Sequence, residues 1–227
     1  MSLTIDRNTP AAFRFTAIQR AMLTRRLLLT SAIALATCAT LSSFSTPAAA
    51  QSTDAASAFI EQTSRELTNV VNGNLPTEQK KAALAKIIGR DVDVAAVAQF
   101  CLGRFWRSAS PQQQQEYVEL FHRVLVLNIT GKVGDYQGVS IKLGRSSPRE
   151  GDIAVTTTVI RPGNEPSRVD WLVSTASGSP KIIDVIAEGT SLRLTQRSDY
   201  ASYLSHNGND VNKLIAAMRQ QASNQPG

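Results

Sequence analysis

Between Glu165 and Tyr203 the chain carries two runs of two-residue alternation joined by a turn sequence, and this pattern limits the architecture more than any other stretch. Val169, Trp171 and Val173 alternate with Asp170, Leu172 and Ser174; Ile183, Val185 and Ala187 alternate with Ile182, Asp184 and Ile186. A period of two is that of a pleated strand. The intervening Ala176-Ser177-Gly178-Ser179-Pro180 supplies small, φ-permissive residues and a proline that cannot continue a ladder, so the two strands pair antiparallel. Leu172, Ile182 and Ile186 put large apolar groups on the second face as well, which calls for cover on both sides. Upstream, Val139 to Leu143 forms a short alternating strand, and Asp152 to Arg161 a longer one with Ile153, Val155, Thr157 and Val159 on one face. The Pro162-Gly163-Asn164-Glu165-Pro166 turn leads from it into the strand of Trp171. Four strands without intervening helices predict an antiparallel four-stranded meander.

Helices flank this sheet in the sequence. Phe59, Ile60, Thr63, Leu67, Val70 and Val71 lie on one helical stripe that stops at Asn72-Gly73-Asn74. A second helix follows Pro76, with Ala83, Leu84, Ile87 and Ile88 inward, and ends at Gly89; Asp91 is placed to cap a third, short helix carrying Val94, Val97, Ala98 and Cys101, with Gly103 as its exit. Ser110-Pro111-Gln112-Gln113 combines an N-cap serine, a proline whose missing N–H is harmless and a glutamine able to complete a capping box. A long helix begins there, with Tyr117, Leu120, Phe121, Val124 and Leu125 on one stripe and Val126, Leu127 and Ile129 widening it, so contacts on more than one side are expected. After Gly189, Ser198 is placed to cap a helix bearing Tyr200, Tyr203 and Leu204, and Asp210 a last one with Val211, Leu214, Ile215 and Met218 inward. The order predicts an α+β domain in which helices cover a curved four-stranded antiparallel sheet and enclose an apolar cavity.

Residues 1–50 read as an export signal peptide. Thr24-Arg25-Arg26 precedes a charge-free run from Leu27 to Leu41, too short for a bilayer span, and Ala48-Ala49-Ala50 forms a small-residue cleavage site before Gln51. The paired arginines fit a twin-arginine signal and an ordinary secretory leader alike. Without the leader's five arginines and one aspartate, 19 basic residues face 17 acidic ones, so the full chain's net charge of +6 is mainly a leader property. No basic stripe with interleaved aromatics remains, and nucleic acid is excluded as an expected partner. Residues 51–227 are predicted to form a single domain, a monomer with Cys101 as its one cysteine and therefore no internal disulfide.

Catalytic patterns are scarce. His122 and His206 stand on different elements outside any HExxH or ligand-like spacing, and neither a phosphate loop nor a Gly-x-Ser-x-Gly elbow occurs. Asp170 and Asp184 lie within strands, where a carboxylate facing a closed apolar space would act as a base; pairing with Arg168, Arg193 or Arg197 is the plainer expectation. Arg104-Phe105-Trp106-Arg107 is either a core anchor with snorkelling arginines or the lip of a ligand entrance. No catalytic residue, metal or cofactor is predicted. The apolar surfaces expected to face each other across the cavity are Val155, Val169, Trp171 and Val173 on the sheet and Tyr117, Phe121 and Leu125 on the long helix, with Tyr136 near the rim.

Two stretches carry a family resemblance. Phe100-Cys101-Leu102-Gly103-Arg104-Phe105-Trp106-Arg107-Ser108-Ala109-Ser110 leads into the long helix. Further on stand Val169-Asp170-Trp171, Lys181 to Val185, Glu188-Gly189-Thr190-Ser191-Leu192 and Gln196-Arg197-Ser198-Asp199-Tyr200. Together, in order and at fitting distances, they resemble the MlaC family of periplasmic phospholipid-binding proteins, also called the toluene-tolerance or organic-solvent-resistance family. The Val-Asp-Trp and Gln-Arg-Ser forms are most like a branch with hopanoid-associated members. Thr190 stands where the family usually has Val, Tyr200 where it has Phe, and Ile129 near a common Tyr. The resemblance implies a periplasmic, non-enzymatic carrier that binds phospholipid acyl chains. Such a carrier shuttles lipid between an outer-membrane lipoprotein complex and an inner-membrane ABC transporter with an MCE-domain subunit. Two other readings stay open: an exported cone-shaped α+β enzyme acting on an apolar substrate, and a cavity-free interaction module.

Overall fold

A computed structural model describes residues 47–223. The predicted leader therefore lies outside the described residues except for residues 47–50, which begin the first helix. That helix, α1, spans Pro47–Asn72 and is far longer than the apolar stripe from Phe59 suggests. It stops at Gly73, whose N–H closes on the Asn69 carbonyl at 3.0 Å. Helix α2 (Thr77–Asp91) runs two residues past Gly89, the predicted end. The reason is Asp91, buried at 3% exposure: it accepts from Thr63 Oγ1 of α1 at 2.9 Å and from Arg90 Nε at 2.7 Å, so ending α2 earlier would forfeit a buried link between the helices. Capping of α3 (Val94–Leu102) consequently falls to Asp93 and not Asp91; the Asp93 carboxylate accepts from the Ala96 N–H at 3.0 Å. Gly103, at φ +60°, turns the chain out of α3 in the left-handed region that favours glycine. Helix α4 (Pro111–Thr130) starts on the predicted capping box, with Ser110 and Gln113 bonded reciprocally.

Five strands follow: β1 (Ser140–Arg149), β2 (Asp152–Ile160), β3 (Ser167–Ser174), β4 (Lys181–Ala187) and β5 (Thr190–Ser191). They form an open antiparallel sheet in the order of the sequence. The predicted meander is therefore correct in direction and one strand short, because two residues at β5 are too few to show a period. Strand β1 is also longer than predicted. Two residues, Gly144 and Arg145, stand opposite the single Thr156, and this bulge interrupts the alternation while returning Ser146 to the face of Leu143. A side chain at position 144 would place its Cβ 2.9 Å from the Thr156 carbonyl oxygen, so glycine is what lets the strands approach.

Helix α5 (Leu192–His206) begins well before Ser198; its N-cap is Ser191, which accepts from the Leu194 N–H at 3.1 Å. Asp184 on β4 fixes that start. Its buried carboxylate accepts from the Ser191 hydroxyl at 2.6 Å, from the Arg193 N–H at 3.1 Å and from the Val185 N–H at 2.8 Å, and pairs with the Arg193 guanidinium at 3.5 Å. Helix α6 (Val211–Ser223) buries Val211, Leu214, Ile215 and Met218 as predicted.

Cover over the sheet differs from the expected arrangement. Helix α4 packs against α6, α2 and α3, consistent with its wide apolar surface, and the helix lying along β1 and β2 is α1. Ala56, Phe59 and Ile60 of α1 meet Ile153, Val155, Val173 and Ile182 in one core. On the opposite face Ala154, Leu172 and Ile183 pack with Val97 of α3. Elsewhere that face carries the buried Ile186, opposite Asp170, together with Thr156 and the exposed Arg168, whose guanidinium holds the Asp170 carboxylate at 2.9 Å. Both strand aspartates thus have the cationic partners expected for them.

Candidate functional site

Strand registry decides which apolar residues share a surface. Val155 stands opposite Trp171, Thr157 opposite Val169, Trp171 opposite Val185 and Val169 opposite Ala187, so their side chains emerge together on the face covered by α1. Four predicted site residues, Val155, Val169, Trp171 and Val173, are brought onto this one face. Val155 and Val173 are fully enclosed beneath α1, Val169 retains 9% exposure, and Trp171 is half-buried. Thr157 is the polar exception. Its hydroxyl donates to the Val169 carbonyl at 3.2 Å and accepts from the Trp171 indole N–H at 2.9 Å, which satisfies the indole and fixes the ring plane. The face is consequently apolar in effect although a threonine lies within it.

Tyr136 extends the same surface. It packs beside Val159 and Val139 with Leu67, Val70 and Val71, near the C-terminal end of α1.

The structure does not bring Tyr117 and Phe121 to the sheet surface. Tyr117 is fully buried, donates to the Ala98 carbonyl at 3.0 Å and meets Phe121 and Tyr200 with ring centroids 6.0 and 6.1 Å away. These three rings form an aromatic core joining α4, α3 and α5. Burial pushes the Tyr117 and Tyr200 phenols well above their ordinary range, so neither supplies a phenolate. Leu125 is half-buried on α4.

Between the two apolar clusters on α1 the helix turns a polar stripe toward β1. Glu61, Ser64, Arg65 and Thr68 overhang Ile141 and Leu143, leaving a cleft of about 270 Å³. Leu143 is 42% exposed there, and Ser64, only 7% exposed, has a hydroxyl with no hydrogen-bond partner. The residue pattern gave no hint of this cleft, because the bulge at Gly144 masks which β1 residues share a face and the polar stripe of α1 resembles any solvated helix side.

Of the groups suited to catalysis, Cys101 and His206 have partners, whereas the Nε2 of His122 is buried without one among the described residues. Cys101 is buried, donates to the Arg193 carbonyl at 3.5 Å, and its thiol is pushed up to about 12 by burial and then by the Asp184 charge, so it does not form a thiolate near neutral pH. His122 lies against Gly89 of α2, its Nε2 3.7 Å from where a Cβ there would stand; the exposed His206 places Nδ1 2.8 Å from the Ser202 carbonyl. The arginine–aromatic stretch resolves into an anchor. Phe105 is buried with Arg104 over its ring at 4.8 Å, and the nearby Phe100 is faced by Arg193 at 4.4 Å and Arg197 at 5.0 Å. Arg197 also packs on Gly103, where any Cβ would approach its Nε to 3.2 Å. The two sequence stretches that carry the family resemblance therefore meet at this α3–α5 junction.

Comparison with known proteins agrees with that resemblance. A family model described as MlaC protein matches residues 61–220. The toluene tolerance protein Ttg2D of Pseudomonas putida is 26% identical over 153 residues, covering 63% of this chain and 71% of that protein. Among solved structures, a phospholipid-binding protein of Ralstonia solanacearum, determined in complex with a phospholipid, superposes with a TM-score of 0.65 at 20% identity, over 74% of this chain and 97% of that one. The last likeness is one of fold.

Proposed function

Because this chain belongs to the MlaC family, we propose that it is an exported phospholipid carrier, cleaved before Gln51 and working in the periplasm, that takes acyl chains against the sheet face of Val155, Val169, Trp171 and Val173. The proposed route runs between an outer-membrane lipoprotein complex and an inner-membrane MCE-domain ABC transporter. The observation carrying the binding assignment is the joint placement of those four residues, with Tyr136 at the margin, beneath a helix that contacts the sheet along one edge. Acyl chains suit such a surface, since each buried methylene contributes about 0.8 kcal/mol without requiring a directional partner. The phospholipid-binding protein of similar fold, solved with phospholipid bound, supports the ligand class. Among the described residues no helix is long and apolar enough to cross a membrane, as a shuttling domain requires.

None of these four sheet residues lines the cleft beside α1, and Val155 and Val173 are fully enclosed beneath that helix, so acyl chains need space that this face does not hold open. On this reading α1 moves away from the sheet on loading. The carrier function is tested by extracting the purified protein with organic solvent and analysing the extract by mass spectrometry. Stoichiometric phospholipid is expected, and a lipid-free extract from protein prepared without detergent would contradict the assignment. His122→Ala and His206→Ala serve as controls: each should retain the parent's lipid content, and a large loss in either would reopen a ligand-binding or catalytic role for that ring.

A further inference from the structure

Helix α1 is fastened unevenly along its length. From Thr63 onward it is tied to α2: Thr63 Oγ1 donates to the buried Asp91 carboxylate at 2.9 Å, Arg90 Nη2 to Glu66 at 2.7 Å, and Lys80 Nζ to the Val71 carbonyl at 2.7 Å. At its end the Asn72 side-chain amide pairs with the backbone leading into β1, accepting from the Gly138 N–H at 2.7 Å and donating to the Val139 carbonyl at 2.9 Å. Just past α2 the Asp93 N–H donates to the Ile182 carbonyl of β4 at 3.0 Å. The chain is thus bound to the sheet immediately before α2 and immediately after it, and α2 holds the C-terminal part of α1. The stretch from Asp54 to Gln62 has none of these ties. Ala56, Phe59 and Ile60 lie on Ile153, Val155, Val173 and Ile182, an apolar contact without directional preference. Among the described residues one side-chain hydrogen bond joins this stretch to the sheet, between the Ser57 and Ser146 hydroxyls at 2.8 Å. Ser146 stands opposite Val155, and Val155 opposite Trp171, so that contact closes the strand edge beside the acyl face. Toward the anchored segment the same edge is already parted by the cleft over Ile141 and Leu143.

We propose that residues 54–62 of α1 form a hinged arm, that phospholipid enters beneath it between Ser57 and Ser146, and that the segment from Thr63 to Asn72 stays in place as the hinge. The inference rests on the lipid-carrier reading above and adds the mouth to it. Lifting the arm extends the existing cleft past Leu143 onto Val155 and Trp171. It exchanges contacts of one kind: Phe59 and Ile60 leave apolar side chains of the sheet, and acyl chains take the vacated place against both, so apolar surface is not left in water. The links of Thr63, Glu66, Val71 and Asn72 are polar, and an acyl chain replaces none of them. Opening therefore stops at Thr63.

The test combines Ser57→Cys with Ser146→Cys in one chain. Hydroxyls 2.8 Å apart put sulfurs at these positions within reach of a disulfide, and the native Cys101 is buried. Delipidated protein is mixed with vesicles of palmitoyl-oleoyl phosphatidylethanolamine, and bound lipid is followed over time by mass spectrometry. The reduced double variant should load as the parent does. The oxidised form should load about tenfold more slowly, as for a lid held shut, and reductant should restore the rate. Protein loaded before oxidation should keep both thiols free, because the arm is then raised. Ser57→Ala, which removes the hydroxyl contact without a cross-link, should load about threefold faster than the parent, the size expected for one neutral hydrogen bond. Oxidised protein that loads at the parental rate, or loaded protein that still closes the disulfide, overturns the arm and leaves the carrier reading standing. Should the double variant fail to fold, Ser57→Ala decides, and an unchanged rate overturns the arm in the same way. A parent that takes up no lipid at all overturns the carrier reading and the mouth with it.

Discussion

Val169→Trp is expected to leave the protein folded and free of lipid. Val169 sits between Thr157 and Ala187 across the strands, two residues from Trp171, and keeps 9% exposure where Val155 and Val173 are wholly enclosed. An indole there would fill space that acyl chains require. Solvent extracts of the variant should contain no phospholipid, and the delipidated variant should melt within about 3 °C of the delipidated parent, the equivalent of roughly 1 kcal/mol for a domain of this size. Leu172→Trp provides the contrast, because its site lies on the opposite face and is already packed by Ala154, Ile183 and Val97. Overpacking there should cost about 1–3 kcal/mol with or without lipid. A Val169→Trp protein that is destabilised and still carries lipid would show that position 169 is core and not ligand surface.

Asp184→Ala should be among the most destabilising single changes in the chain, by about 3–5 kcal/mol, since it removes the anion from a buried pair and strands its partners. The carboxylate is 3% exposed and the Arg193 side chain 21%, so solvent screens the pair little. Without it the Ser191 hydroxyl and two backbone N–H groups lose their acceptor, and the cap of α5 loses the strand that positions it. Urea denaturation should show a lower midpoint with an unchanged slope. Asp184→Asn, which keeps one acceptor oxygen, should fall between. A midpoint for Asp184→Ala equal to the parent's would mean that water replaces the carboxylate without cost and that α5 starts independently of β4.

The strand meander is legible in the sequence because a buried strand writes its period into every second residue, and four runs here are long enough to count. Where geometry departs from that period, legibility ends: the Gly144 bulge hides the second half of β1, and β5 is too short to have a pattern. Helix starts are legible when the cap is local, as at Ser110. They are not when the capping partner is distant, as at Ser191, whose hydroxyl is held by Asp184 on β4. The sheet half of the candidate surface follows from alternation alone. Its helical half does not, because Tyr117 and Phe121 on α4 have an apolar stripe as suitable for a sheet as for other helices, and only the full packing shows that α2, α3 and α6 take it. The cleft at Ser64 has no signature in residue type, since an unsatisfied hydroxyl is a property of its neighbours.

The ties of the helical layer set an order of folding. Gln113 donates to Asn212 at 2.8 Å across 99 residues, Glu116 pairs with Arg219 across 103, and Phe100 is faced by Arg193 and Arg197. Closing loops of that length sacrifices chain entropy before the contact returns anything, so these ties form after the hairpins of the sheet and the local turns of each helix. A chain emerging with its N-terminus first therefore holds α3 with part of its apolar stripe uncovered until α5 is available, and α4 until α6 is. Completion of the layer then depends on α6, a last-arriving latch on helices that are already formed.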